Sequence, residues 1–383
     1  MIARVLPAAL VLLLASCDSA SQGIADLGVD LQSGDLGPPP DQVVTDGSPA
    51  DGSAPDAPPA CSAPTPFVPP GQPVGWKHTT TSLLVVTQGP ANHRGQDVVV
   101  APGQPQVLIG KFAYGPFDKD LKSEDVEVYM QLEPPCGPWV LLGTQETSED
   151  GEYGTQYGIT DDGGRIFFTL PTDRVRPPGR YPVRMLVRGD HSMAAFSLFV
   201  VQPGAGAVVF DIDGTLTTDD FQLVSQLFSQ LLNGTYVPKA YPDGAKAASA
   251  WAAKGYLPVY LTGRPDTLRT VSQKWLVGQK APPGAVHLTD TLTLPGAATA
   301  TYKTDFLLKL QSAKVSLYAA YGNATSDIEA YAAATIDKSR TYIIGSNAGQ
   351  QGTVALTSYT AHLATVQAMP AASVPGPADT YGW

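Results

Sequence analysis

Cysteine is scarce in this 383-residue chain, with three in all; histidine numbers five, and charged residues make up only 15%. The cysteines at 17, 61 and 136 lack the spacing of a zinc site, and His78, His93 and His191 are scattered without ligand spacing. The apolar run at 5–14 is too short to span a bilayer. Between 18 and 60 there is no Lys, no Arg and no aromatic residue, only a mixture rich in Asp, Pro, Gly, Ala and Ser. Such a segment cannot bury enough apolar surface to offset its ordering entropy, and it is expected to be a disordered tether. Its eight aspartates account for most of the formal charge of −11, so the acidity says little about any site. No polybasic run or aromatic-basic interleaving is present, which argues against a nucleic-acid partner.

Residues 1–17 carry one positive charge, Arg4, then the apolar run, then Leu14-Ala15-Ser16-Cys17. This resembles a bacterial lipoprotein signal peptide, which implies a lipidated Cys17 and attachment to a membrane surface through that anchor. The resemblance places the protein in the bacterial cell envelope, on the periplasmic or outer face of a membrane. With Cys17 so used, Cys61 and Cys136 are left either as one disulfide or as free buried thiols.

Composition and periodicity then divide the rest. From 61 to 202, short alternating runs recur between Gly and Pro turns, at 82–86, 98–100, 107–112, 126–132, 139–142, 165–170, 181–188 and 194–201. Regular short strands of this kind predict an all-β, immunoglobulin-like antiparallel sandwich. From 203 to 350 strands alternate with helices: strands at 206–211, 257–262, 284–288, 315–320 and 341–345, helices at 220–232, 242–254, 266–279, 301–312 and 325–334. That order predicts an α/β Rossmann-like domain with a parallel sheet, whose ligands sit beyond the carboxyl ends of the strands. Residues 351–383 give no usable signal and are taken as a C-terminal tail.

The chemistry concentrates at those strand ends. Gly206-Ala-Val-Val-Phe-Asp211-Ile-Asp213-Gly-Thr delivers two carboxylates onto a glycine turn, in phase on one side of the strand. One can act as nucleophile toward a phosphate and the other as general acid and base. A second apolar strand ends in Thr262-Gly263-Arg264, where the hydroxyl and the N–H groups opening the next helix predict a phosphate-binding site. Lys303 would offset charge between nucleophile and phosphoryl group. Asn323 and Asp327, after Gly322, would join Asp211 and the backbone carbonyl of Asp213 as oxygen ligands for Mg2+. Neither the interval after the first motif nor that from 286 to 302 holds a domain able to close over the site, so the site is expected to be capless and open to a bulky phosphomonoester.

These motifs, Asp211-Ile-Asp213-Gly-Thr-Leu-Thr, Leu261-Thr-Gly-Arg-Pro265 and Gly322-Asn-Ala-Thr-Ser-Asp327, resemble those of the lipin-type phosphatidate phosphatase domain of the haloacid-dehalogenase superfamily. A longer resemblance, over about residues 95–347, runs to the C-terminal region of membrane-associated phosphatidylinositol transfer proteins. It includes Gly110-Lys-Phe-Ala-Tyr-Gly-Pro116 and Pro178-Gly-Arg-Tyr-Pro182. The lipin resemblance implies a Mg2+-dependent hydrolase converting phosphatidate to diacylglycerol. The transfer-protein version has typically lost the first Asp, which implies a module that binds phosphatidate without turnover. This chain keeps Asp211, so its residues point to an enzyme acting on a membrane lipid of the phosphatidate kind.

Overall fold

The computed structural model describes residues 63–218, 236–291, 296–377 and 381–383. The expected signal peptide, Cys17, the tether, Cys61 and the expected helix at 220–232 lie outside the described residues. Cys136 is disulfide-bonded.

The first domain is a β-sandwich. Its five-stranded sheet runs in the order Val98–Val100, Met193–Val200, Gly179–Val187, Asp125–Gln131, Trp139–Glu146. A three-stranded sheet of Arg94–Gly95, Val107–Lys111 and Arg165–Thr169 accompanies it. Leu108, Val128, Met130, Ile166, Val183, Met185, Phe196 and Leu198 form one buried cluster in this domain. Two expectations are corrected. The sandwich is not wholly antiparallel, because Val98–Val100 pairs parallel to Leu198–Val200. The run at 82–86 is not a strand but the end of a helix, Thr79–Val86. Glu124 accepts from the backbone N–H groups of Lys77 and His78 and from the Ser82 hydroxyl, satisfying the helix start from a distant part of the chain.

The second domain is a six-stranded, all-parallel sheet. Its strands are β1 (Gly206–Phe210), β2 (Leu257–Pro265), β3 (Ala285–Thr289), β4 (Ser316–Gly322), β5 (Thr341–Ile344) and β6 (Val354–Leu356), in the order β3-β2-β1-β4-β5-β6. Helices α1 (Gly244–Ala253), α2 (Arg269–Gly278), α3 (Gly296–Ser312), α4 (Thr325–Ala333) and α5 (Tyr359–Ala368) accompany it. Alternation along β1 decides the layers. Val208, Phe210 and Ile212 join the core made with Trp251, Trp275 and Tyr359. Ala207 and Val209 join the opposite core, with Phe306, Leu307, Leu310 and Tyr331 from α3 and α4, and with Phe199 and Val201 from the end of the sandwich.

Residues beyond 350 are not a tail. Strand β6 extends the sheet, α5 buries Tyr359, His362 and Val366, and the Trp383 indole donates to the Ala281 carbonyl at 2.7 Å. Among the described residues, no helix is long and apolar enough to cross a membrane.

Candidate active site

Strand β1 ends where the sheet order reverses, with β2 on one side and β4 on the other, which is where parallel sheets of this kind bind ligands. The Asp211 N–H continues the ladder by donating to the Tyr321 carbonyl at 3.0 Å. Being in phase with Ala207 and Val209, Asp211 faces the layer of α3 and α4. There its Oδ1 accepts from Lys303 Nζ at 2.6 Å and its Oδ2 from the Thr215 hydroxyl at 2.8 Å. Lys303 lies on the buried stripe of α3 with Thr299, Ala300, Phe306, Leu307 and Leu310, and a lysine inside an apolar stripe needs a partner. It has two, because Nζ also donates to Asp327 Oδ1 at 2.6 Å.

Burial pushes the Asp211 carboxyl up to about 7 against the pull of Lys303, and Asp327 and Asp213 add to the rise. Burial alone would lower Lys303, but Asp211 and Asp327 hold its ammonium well above the ordinary lysine value.

The turn after β1 requires its glycine. Gly214 has φ +69°, and a Cβ there would lie 2.0 Å from Asn323 Nδ2. That close approach puts Asn323 Oδ1 at 3.3 Å from the Thr215 hydroxyl, which also serves Asp211. Gly322 is needed for the same kind of reason, since its Cβ would meet that of Asp327 at 2.5 Å.

The structure gives several of the expected site residues partners within the chain, and it corrects one expected element boundary. Asp327, expected as a metal ligand, accepts from Lys303 at Oδ1 and from the N–H groups of Asn323 and Ala324 at Oδ2, each of the latter at 3.0 Å, where it caps α4. It positions Lys303 and the Asn323 turn. Gly263 was expected at a helix start, but β2 continues to Pro265, which pairs with Thr289, and α2 begins only at Arg269 after a short 3-10 turn at Asp266–Leu268. The Thr262 hydroxyl, expected on phosphate, donates to Asp213 Oδ2 at 3.0 Å and accepts from the Arg264 N–H at 3.2 Å.

Arg264, to which the sequence assigns no role beyond following Thr262-Gly263, dominates that side. Its Nε lies 3.0 and 2.9 Å from the two Asp213 oxygens, its Nη2 2.6 Å from Oδ1, and its Nη1 donates to the Ser272 hydroxyl at 3.0 Å. The adjacency of Arg264 to Thr262-Gly263 was the available signal. Thr215, four residues after Asp211, and Asn347, which donates to the Asn323 carbonyl at 2.8 Å, were not singled out. Asn347 carries no motif that would reveal it. Among the described residues, no cluster of three or more His, Cys, Asp and Glu side chains has the arrangement of a metal centre. A cavity of about 950 Å³ between the sandwich and α3, with Val99, Ile109, Tyr302 and Phe306 in its wall, is not lined by Asp211, Asp213 or Asp327.

Residues 208–345 match the family model "PITM 1-3, LNS2 domain", and residues 91–157 and 152–200 match "PITM 1-3, beta-sandwich domain". The chain is a PITM-type β-sandwich followed by an LNS2 domain. Membrane-associated phosphatidylinositol transfer protein 1 of Rattus norvegicus is 38% identical over 271 residues, covering 70% of this chain and 19% of that protein. Protein retinal degeneration B of Drosophila melanogaster is 33% identical over 306 residues, 78% of this chain and 22% of its own length. The type 3 transfer protein of Mus musculus is 34% identical over 297 residues, 76% of this chain and 27% of its own. The chain therefore spans about a fifth of the length of the first of these relatives. They are eukaryotic proteins, the transfer proteins among them named as membrane-associated, and this overturns the bacterial cell-envelope placement expected from residues 1–17.

Proposed function

We propose that the LNS2 domain is a Mg2+-dependent phosphatase that forms an aspartyl-phosphate at Asp211, with phosphatidate or a related lipid phosphomonoester as substrate. The observation that carries this reading is Asp211 itself, a carboxylate at the end of the central strand, held between Lys303 and Thr215 at the switch point of the sheet. The relatives' names, which refer to phosphatidylinositol transfer and membrane association, support a lipid substrate. The short intervals around the motifs support a capless site.

The donor set fits a hard divalent cation. Thr215 has a single hydroxyl hydrogen for two acceptors, Asp211 Oδ2 and Asn323 Oδ1, so one of those oxygens lacks it. Three buried carboxylates, Asp211, Asp213 and Asp327, are ion-paired with two cations, Lys303 and Arg264. Asp211, Asn323, Asp327 and the backbone carbonyl of Asp213 would hold Mg2+, which when bound offsets the charge of the phosphate.

The residues then divide the work. Asp211 attacks phosphorus and the ester P–O bond breaks, the departing oxygen taking a proton from Asp213. Asp213 next takes a proton from water, whose oxygen attacks phosphorus, breaks the bond to Asp211 and releases inorganic phosphate. Lys303 holds Asp211 in place and offsets charge on the phosphoryl oxygens. Asp213 can do this only after Arg264 releases it. That clamp favours a second reading, a phosphatidate-binding module without turnover.

Phosphate release from phosphatidate vesicles distinguishes the two. The phosphatase reading expects Mg2+-dependent release that disappears in Asp211→Asn and falls by about two to four decades in Asp213→Asn. Vesicle binding without release would establish the binding module instead. Calorimetric titration of Mg2+ tests the ion separately from turnover, with Asn323→Ala expected to weaken it.

A further inference from the structure

Two ion pairs cross from the sandwich into the segment that follows β2. Arg94 Nε lies 2.9 Å from Asp266 Oδ1, and Asp97 Oδ1 lies 2.8 Å from Arg269 Nη2, with all four side chains almost fully buried. The spacing is reciprocal: cation then anion at 94 and 97, anion then cation at 266 and 269. Each pair is anchored behind. Arg94 is held by a bidentate contact to Asp118 at 2.8 and 2.7 Å, and its Nε approaches Asp266 as an ion pair rather than an aligned hydrogen bond. Asp97 also accepts from the N–H groups of Ser197 and Val286, each at 2.8 Å, while Arg269 donates to the Val286 carbonyl at 2.6 Å. The sandwich thereby also seals the edge of β3.

The gripped segment lies beside the phosphate machinery. Asp266 follows Arg264 by two residues, and Arg269 opens the helix whose Ser272 supports the Arg264 guanidinium. Fixing 266 and 269 fixes both the backbone from which Arg264 extends and the hydroxyl that orients it.

We propose that the β-sandwich is the positioning arm of the phosphate site, with Arg94 and Asp97 as positioning residues that hold the 262–269 segment so that Thr262 and Arg264 meet Asp213. The consequence for phosphate rests on the function proposed above, whereas the grip itself does not. The test uses the full chain in two measurements, amide hydrogen exchange without ligand and calorimetric binding of inorganic phosphate in the presence of Mg2+. Arg94→Met and Asp266→Asn are expected to speed exchange across 262–269 at least roughly tenfold while leaving β1 unchanged, and to weaken phosphate on the order of tenfold. The double variant is expected to be no worse than the poorer single one. Arg94→Lys, which keeps the charge and loses the fork to Asp118, serves if the Met variant fails to fold. Glu124→Gln, which loosens the sandwich at its N-terminal helix, is expected to lower the melting temperature without changing either readout. Unchanged exchange in 262–269 for Arg94→Lys and Asp266→Asn, or equal acceleration by Glu124→Gln, overturns the proposal. A wild-type chain that binds no phosphate refutes the phosphatase reading, and the exchange data still decide the grip.

Discussion

Asp211 is buried with both carboxyl oxygens in use, and its proton is held until about pH 7. Since the folded-state value lies above the ordinary carboxylate value, the folded chain binds this proton more tightly than the unfolded one. The resulting stabilisation is complete below about pH 4 and is lost as pH rises through about 7. The melting-temperature difference between Asp211→Asn and the wild type should therefore grow in favour of the variant between those limits and level off above them. A flat difference in thermal unfolding across that window would show that burial does not raise Asp211. At Gly214 the constraint is steric: an alanine must adopt φ +69° and meet Asn323. Gly214→Ala is expected to cost about 1–3 kcal/mol in urea unfolding, and to weaken Mg2+ in the same calorimetric titration as Asn323→Ala.

Elements were legible where pattern and local chemistry agreed. The β1 run, the turn at Gly214 and the α4 start at Thr325 were readable because each depends on residues a few positions apart. The 82–86 run was misread because its β-branched and apolar residues favour a strand, whereas the helix is satisfied by Glu124. The extension of β2 to Pro265 was missed because it depends on a pairing with Thr289 from another strand. The segment after 350 looked featureless because β6 needs β5 as its neighbour and α5 needs its buried partners. Tyr359 on α5 donates to the Thr215 carbonyl at 3.1 Å, and His362 shares a hydrogen bond with the Tyr321 hydroxyl at 2.9 Å. A chain ending at residue 350 would expose Tyr342 and Ile344, which share a buried cluster with Leu356, Tyr359 and Val366. Differential scanning calorimetry is expected to show no cooperative transition for that truncation.

The two domains are one folding unit in the sense that matters for stability. Phe199 and Val201, at the end of the sandwich, belong to the same buried cluster as Val209, Val259 and Leu307 of the α/β domain. Residues 61–383 should unfold in a single transition, and residues 203–383 alone should bind a hydrophobic dye because that cluster loses its cover. Two separated transitions in the longer chain would mean that the shared cluster contributes little.

Sequence by itself determined the parallel α/β order, the sandwich before it, and the placing of Asp211, Asp213, Lys303 and Asn323 around the end of one strand, because strand alternation and helical spacing act over a few residues. Only tertiary structure decided what those side chains hold. Arg264 takes Asp213, Asp327 shares Lys303 with Asp211, and Arg94 and Asp97 grip the loop between. Those partners come from strands and helices far apart in the chain, and the direction of a long charged side chain is fixed by whichever opposite charge is buried beside it.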